Sequence, residues 1–238
     1  FVLLEGKSSI SWLDRDTVLL GTALGENGAT TSGYARTVRL WRRGEDPMKA
    51  PAVFETDRTN LAAWASIDRT ADREAIWFID RSGFFDVTYW IGDRNGPDVR
   101  FEAPSDTEIA VHRGWLAIKP RRDWTLAGRT IASDTLVGIA LNAYLSGSRD
   151  FEILYTPHRR STLHSYGWND GELVLSLLDE LQPRFEILTP GASGWQRRVL
   201  AGLPEIGTVL VAPADAEEAE TNGDMLASAQ TPLEPPAL

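Results

Sequence analysis

The chain lacks cysteine entirely and has few histidines. None of its 238 residues is cysteine, which excludes disulfides and thiolate metal sites but leaves the compartment open. The three histidines are His112, His158 and His164, and no two of them form an HxH or HxxxH pair. Their spacing argues against a histidine-based metal site, and none of the three lies in a catalytic motif.

Long apolar runs and an excess of positive charge are also missing. No run approaches the ~18–20 apolar residues that a membrane-spanning helix needs. The chain has 24 Lys and Arg against 34 Asp and Glu, which gives a formal net charge of −10. Because an acidic surface repels phosphate backbones, we expect neither a nucleic-acid partner nor a membrane partner.

The common catalytic and nucleotide-binding motifs are absent as well. There is no Gly-x-Ser-x-Gly elbow, and the closest string, Gly191-Ala192-Ser193-Gly194, has the wrong spacing. A sparse glycine stretch at Gly21, Gly25 and Gly28 is not followed by Gly-Lys-Ser/Thr, so it is not a phosphate-binding loop. The sequence therefore assigns no catalytic, cofactor-binding or metal-binding residue, and no cofactor.

The clearest positive feature is a loose internal repeat, in which four short strands recur about every 40–55 residues. Each copy opens with a short strand that ends in a polar turn, and two strongly apolar strands and an edge-like strand follow. The predicted strands are Ser9–Trp12, Thr17–Leu20, Ala35–Trp41 and Pro51–Glu55 in the first copy; Ala63–Ile67, Glu74–Ile79, Asp86–Ile91 and Asp98–Ala103 in the second; Glu108–Val111, Trp115–Lys119, Thr135–Ala140 and Phe151–Tyr155 in the third; Leu163–Trp168, Glu172–Leu178, Arg184–Leu188 and Trp195–Leu200 in the fourth; and Gly207–Ala212 and Asp224–Ala229 in the fifth, which runs out at Pro235–Leu238.

This repeat predicts an all-β fold, a β-propeller of four-stranded antiparallel blades, with about five blades in the segment. Two middle strands, Ala75–Ile79 and Leu173–Leu178, are almost continuously apolar, as expected for strands covered on both faces by neighbouring blades. The nine tryptophans recur at corresponding strand positions, where large aromatic side chains fill the space between blades.

Helices and long loops are few. Short helices are predicted at Asn142–Ser146 and Ala216–Glu220, and the acidic stretch Asp215–Glu220 is interpreted as a solvated turn or one-turn helix. Two longer connections are Gly25–Gly33 and Lys119–Ala132, the second with a basic cluster beside Trp124. Such loops often line an opening or contact a partner, and the alternative is a solvated hairpin loop.

Three aspartates recur at the ends of first strands: Asp14, Asp68 and Asp170. Five-bladed propeller glycosidases use carboxylates on their innermost strands, with the two groups ~5–9 Å apart. The alternative is that each aspartate accepts backbone N–H groups in its own turn, and the recurrence with the repeat favours this structural role.

Several segments resemble the propeller domain of bacterial prolyl oligopeptidases, the S9-type serine peptidases. They are residues 11–20 (SWLDRDTVLL), 31–44 (TSGYARTVRLWRRG), 81–86 (RSGFFD), 134–138 (DTLVG) and 227–236 (ASAQTPLEPP). The resemblance implies a seven-bladed propeller that caps an α/β-hydrolase domain with a Ser-Asp-His triad. It further implies that the propeller admits short peptides, cleaved after proline, and excludes folded proteins.

On this resemblance residues 1–238 are a partial propeller whose partners are its own α/β-hydrolase domain and peptide substrates. Phe1–Leu4 resembles the tail of a strand, and Pro232–Leu238 stops where a strand should start, so we expect a segment of a longer protein that is inactive alone. We place the parent in the cytoplasm, with the periplasm as the alternative. Two other functions stay open: a self-contained five-bladed glycoside hydrolase and a non-catalytic protein-interaction propeller.

Overall fold

The computed structural model describes residues 6–70, 74–215, 223–231, 233, 235 and 236. The chain divides into two compact units, Phe1–Thr107 and Glu108–Leu238. Within the described residues, twenty strands and one short helix account for the regular structure. The predicted all-β fold of four-stranded antiparallel sheets is confirmed.

The first unit contains two blades, each a four-stranded sheet whose strands pair in chain order. Every pairing is antiparallel, with Leu19 opposite Leu40 in the first blade and Phe78 opposite Trp90 in the second. All eight predicted strands are present, although the last begins earlier than predicted. The strands are β1 Ser8–Trp12, β2 Thr17–Thr22, β3 Thr37–Arg42 and β4 Ala52–Glu55 in blade 1, and β5 Ala62–Asp68, β6 Ala75–Arg81, β7 Val87–Asp93 and β8 Gly96–Arg100 in blade 2.

An apolar core joins these two blades. Leu19, Val38 and Phe54 of blade 1 pack with Ile76 and Phe78 of blade 2. The rings of Phe54 and Phe78 lie 5.3 Å apart between centroids. Because β2 and the first half of β6 are buried on both faces, their sequences are apolar almost throughout and do not alternate.

The second unit contains blade 3, blade 4 and a two-stranded sheet. The predicted third and fourth copies are again present. The elements are β9 Glu108–His112, β10 Trp115–Lys119, β11 Trp124–Leu126, β12 Arg129–Ile131, β13 Leu136–Ala140, α1 Leu141–Leu145 and β14 Glu152–Tyr155 around blade 3; β15 Ser161–Asn169, β16 Glu172–Asp179, β17 Gln182–Thr189 and β18 Gln196–Val199 in blade 4; and β19 Thr208–Pro213 with β20 Met225–Gln230 in the last sheet.

Blades 3 and 4 share a core of leucines and tryptophans. Leu136 and Leu154 of blade 3 pack with Trp168 and Leu173 of blade 4, and Trp195 covers the cluster. Trp195 lies directly over Gly138, so close that a β-carbon at residue 138 would stand 2.7 Å from the indole ring. Glycine at this position lets the two blades approach each other.

The structure differs from the sequence-based expectations at two connections. The loop predicted at Lys119–Ala132 contains the hairpin β11–β12, which forms because Trp124 and Ile131 are buried against their own blade. The helix α1 starts one residue earlier than the predicted Asn142–Ser146, and Gly147 follows its end with φ +95°. No helix in the described part of the chain is long and apolar enough to span a membrane.

Some expectations concern residues that are not described. The helix predicted at Ala216–Glu220, most of the acidic stretch Asp215–Glu220 and the strand tail Phe1–Leu4 lie outside the described residues. Most of Pro232–Leu238 does so too.

Candidate functional site at the loop end of the blades

The topology gives each blade two different ends. In an antiparallel sheet whose strands pair in chain order, the turns between strands 1 and 2 and between strands 3 and 4 lie at one end. The connection between strands 2 and 3 lies at the other end, together with the link from strand 4 to the next blade. We call this second end the loop end, because both long connections of the sequence belong to it.

At the loop end of blade 1, the connection 23–36 is anchored to the link that follows β4. The Thr30 hydroxyl donates to the carbonyl of Leu61 at 2.9 Å, and the Thr31 amide donates to the carbonyl of Arg58 at 2.8 Å. Arg36 forms an ion pair with Glu55. The predicted loop Gly25–Gly33 is therefore an ordered surface of the first unit.

At the loop end of blade 2, a short turn presents two aromatic side chains. Phe84 is 75% exposed and Phe85 is 62% exposed, and their rings meet edge-on at 5.0 Å. The turn is held by Asp86, whose carboxylate accepts a 2.5 Å hydrogen bond from the Ser105 hydroxyl. The sequence RSGFFD thus builds a fixed turn with an apolar tip.

The long connection of blade 3 is folded onto its own blade. Trp124 packs against Phe151, with 5.3 Å between ring centroids. Glu108 pairs with Lys119 at 3.1 Å and with Arg121 at 2.7 Å, so two of the three cations of the predicted basic cluster share one carboxylate. This connection is therefore a packed hairpin and not a solvated loop.

The loop end of blade 4 contains three cavities, of about 350, 440 and 520 Å³. His158 lines all three. It belongs to a tight turn in which His158 and Ser161 exchange backbone hydrogen bonds. Cavities of this size accommodate small ligands or a few residues of a peptide.

A buried carboxylate forms part of the wall of the 350 Å³ cavity. The side chain of Glu186 is 6% exposed and pairs with Arg184 at 2.9 Å and also with Arg197. Arg197 also donates to the carbonyl of Leu154, which ties β18 to the outer strand of blade 3. This group was missed from the sequence, although a lone glutamate within Phe185–Leu188, an otherwise apolar stretch, was the available signal.

The three predicted aspartates lie at the opposite end of their blades, and two of them accept backbone amides of their own turns. Asp14 accepts a 3.0 Å hydrogen bond from the Asp16 amide, and Asp68 accepts one of 2.9 Å from the Thr70 amide. Asp170 has φ +43° and pairs with Arg113 at 2.6 Å. Asp14 and Asp68 thus have the structural role that the repeat favoured, whereas Asp170 contacts the turn between β9 and β10.

The environment of Asp14 also changes its acidity. The pKa of its carboxyl is lowered to about 2, first by the hydrogen bond from the Asp16 amide and then by Arg94. Arg94 lies 2.8 Å from Asp14 and 2.7 Å from Glu74, so it ties the first turn of blade 1 to blade 2. This charge cluster stabilises packing and does not resemble an acid–base pair of a glycosidase, in which one carboxyl has a raised pKa.

The histidines occupy three unrelated environments. His112 is buried, stacks on Trp168 and accepts a 3.1 Å hydrogen bond from the Gly171 amide. His164 is exposed on β15, and only His158 borders the cavities. In the part of the chain that the structure describes, no three His, Asp or Glu side chains are grouped so that they could hold a metal ion.

Comparisons with known proteins agree with this fold. No family model matches the sequence. The chain is 26% identical to an uncharacterized peptidase of Sinorhizobium fredii, covering 91% of this chain and 31% of that protein. It is 24% identical to an uncharacterized peptidase of Rickettsia prowazekii, covering 85% of this chain and 29% of that protein.

The solved structures decide the type of propeller. A post-proline cleaving enzyme from Rickettsia typhi superimposes with a TM-score of 0.83 at 22% identity, over 98% of this chain and 35% of that one. The chain has the fold of a prolyl oligopeptidase propeller domain. Prolyl oligopeptidase B from Galerina marginata agrees, with a TM-score of 0.55 at 13% identity over 93% of this chain and 30% of that one.

The propeller fold predicted from the sequence resemblance is thus confirmed. The chain spans about a third of the length of the relatives that it matches.

Proposed function

We propose that this chain is the propeller segment of a prolyl oligopeptidase-like serine peptidase. The parent enzyme hydrolyses short peptides after proline at a Ser-Asp-His triad in an α/β-hydrolase domain outside residues 1–238. The propeller segment restricts access to that triad. In this role it contacts two partners, its own catalytic domain and the peptide substrate.

The observation that carries the proposal is the match over 98% of the chain to a post-proline cleaving enzyme. The loop end supplies suitable contact surfaces, namely the anchored connection 23–36 and the aromatic turn at Phe84 and Phe85. In this role, these two ordered segments exclude folded substrates by size, because a folded protein cannot pass an opening that an extended peptide can enter.

The test uses the protein expressed from the complete reading frame that encodes this chain. It is assayed with a short fluorogenic peptide cleaved after proline, and with the same cleavage sequence inserted into a folded protein. We expect rapid hydrolysis of the short peptide, little of the folded substrate, and labelling by a fluorophosphonate, which reacts with activated serines.

Two variants then test the gating role. Removal of residues 1–238 is expected to abolish discrimination against the folded substrate. The second variant replaces Gly25–Gly33 by a short glycine turn and leaves both units in place, so its result does not depend on the folding of the truncated protein. Absence of post-proline hydrolysis, or a selectivity unchanged by both variants in folded protein, would contradict the proposal.

We also place the parent enzyme in the cytoplasm, which cell fractionation of the source organism tests.

No observation favours the glycoside hydrolase. Asp14 and Asp68 serve their own turns and Asp170 pairs with Arg113, while the curated relatives are described as peptidases.

A further inference from the structure

Two tight turns meet at the loop end of blade 4. One is the turn from His158 to Ser161, and the other joins β16 to β17 at Glu180 and Leu181. The Glu180 amide donates to the carbonyl of Arg160 at 2.7 Å, and the Glu180 carboxylate pairs with the Arg160 guanidinium at 2.8 Å. The two turns therefore form a single preorganised surface around the 440 Å³ cavity.

The two adjacent arginines of this surface have different environments. Arg160 is neutralised by Glu180, whereas the side chain of Arg159 forms no ion pair or hydrogen bond with any described residue. The imidazole of His158 likewise has no hydrogen-bond partner among the described residues. Both side chains line the same cavity, so it offers donors without a protein acceptor.

The cavity is also lined by apolar side chains, one of which lies in a strained turn. Leu178 and Leu181 line it, and Leu181 is 87% exposed. Glu180 and Leu181 both have positive φ, 51° and 69°, in a two-residue hairpin turn that normally carries Asn-Gly. A leucine is an unfavourable choice there, and such strain is concentrated at ligand-binding positions.

We propose that this cavity binds the carboxyl-terminal residue of a peptide. Arg159 and His158 bind the free α-carboxylate, and Leu178 and Leu181 contact an apolar final side chain. Two donors and an apolar wall suit a carboxylate joined to a hydrophobic group, and a volume of about 440 Å³ accommodates such a residue with its neighbour. The choice of a peptide as ligand rests on the proposed function, but the cavity and its binding test do not need the catalytic domain.

The test measures binding to the 238-residue chain by titration calorimetry. The probes are an acetylated pentapeptide ending in leucine, its carboxamide, and a carboxamide of the same length ending in aspartate. We expect the free acid to bind about tenfold or more tightly than either carboxamide, since a charge-assisted hydrogen bond is worth that ratio. If the aspartyl carboxamide bound as tightly as the free acid, the cavity would recognise any carboxylate. That result would overturn the proposed specificity for a peptide's terminal carboxylate.

Three variants locate the site. Arg159→Gln should reduce acid binding to the level of the carboxamide, whereas Arg58→Gln removes an equal charge at the loop end of blade 1 and should have no effect. Leu181→Gly relieves the strained turn, so this variant should fold at least as well as the unsubstituted 238-residue chain. It should still lose affinity for the leucine-ended peptide. The proposal would be overturned if the unsubstituted 238-residue chain bound none of the peptides, or if both arginine variants lost the same affinity for the free acid. Either result would count whatever the peptidase assay shows.

Discussion

Single residues in this chain mostly act on their own turns. The aspartates that follow first strands accept backbone amides, and this explains why the residue type recurs with the blades and not at one site. At Asp14 the Arg94 guanidinium forms a second contact, which joins this turn of blade 1 to blade 2. At this scale the chemistry is structural, and at Asp14 it lowers the pKa of the carboxyl.

We predict that the Asp14 carboxyl titrates at about 2, below its ordinary value of 3.8. Because the folded-state pKa is depressed, the stabilisation is fully present above about pH 3.8 and is lost as the pH falls towards 2. Carboxyl chemical shifts measured by NMR during an acid titration check the value. Arg94→Gln should raise the pKa only in part, since the Asp16 amide is its largest cause. A carboxyl pKa of Asp14 at its ordinary value in the unsubstituted 238-residue chain would contradict this account.

Whole elements are positioned by contacts between neighbouring blades. Trp195, which directly precedes β18, reaches the second-last strand of blade 3 because residue 138 is glycine, and the Trp195 amide also donates to Glu152 at 3.0 Å. The hairpin β11–β12 is instead fixed within blade 3, by Trp124 on Phe151. Side-chain packing, across blades or within one, and not strand propensity, therefore determines where these elements lie.

Gly138→Ala is predicted to destabilise the second unit. The new methyl group would stand 2.7 Å from Trp195 and 2.9 Å from Leu154, so the two blades must separate locally. We expect a loss of about 1–3 kcal/mol in the free energy of unfolding, the usual cost of overpacking, measured by denaturant titration.

Gly167→Ala is the matched control for this substitution. Gly167 is also a strand glycine without positive φ, but no atom lies within 4 Å of the position of its missing β-carbon. Alanine there should be neutral or stabilising by up to about 1 kcal/mol. Equal effects at the two positions would mean that the contact with Trp195 does not limit the approach of the blades.

At the scale of the whole molecule, the chain repeats one structural unit and carries an acidic surface with a net charge of −10. Relatives described as peptidases are about three times as long, and the chain matches a part of them. The predicted aspartates are dispersed because they recur with the blades, and each is engaged by its own turn or by an arginine of a neighbouring blade.

We predict that the 238-residue chain alone hydrolyses neither peptides nor glycosides. The reason is that the predicted carboxylates serve turns or ion pairs, and no histidine lies in a catalytic motif. The check is an assay of the purified chain with fluorogenic prolyl peptides and with a panel of aryl glycosides. Sugar hydrolysis that is lost in Asp68→Asn would revive the glycosidase, and peptide hydrolysis would place a catalytic group within this chain.

The sequence by itself determined the strands and their grouping into blades. Apolar runs such as Leu173–Leu178 and turns such as Asn169-Asp170-Gly171 are local signals, and strands paired in chain order need no long-range information. The structural role of the aspartates was also predictable, because it repeats with the blades. The predicted bounds Asp98–Ala103 were wrong for β8, which spans Gly96–Arg100, since an edge strand is only weakly apolar.

Only the tertiary structure decided the rest. The burial of Glu186 between two arginines depends on strands β17 and β18, and the contact of Arg197 with Leu154 depends on the neighbouring blade. His158 lies beside two arginines in the sequence, and its place at three cavities depends on strands β16 and β17 and the turn between them. Ligand sites of this kind arise where separate turns converge, and no local pattern in the sequence records that convergence.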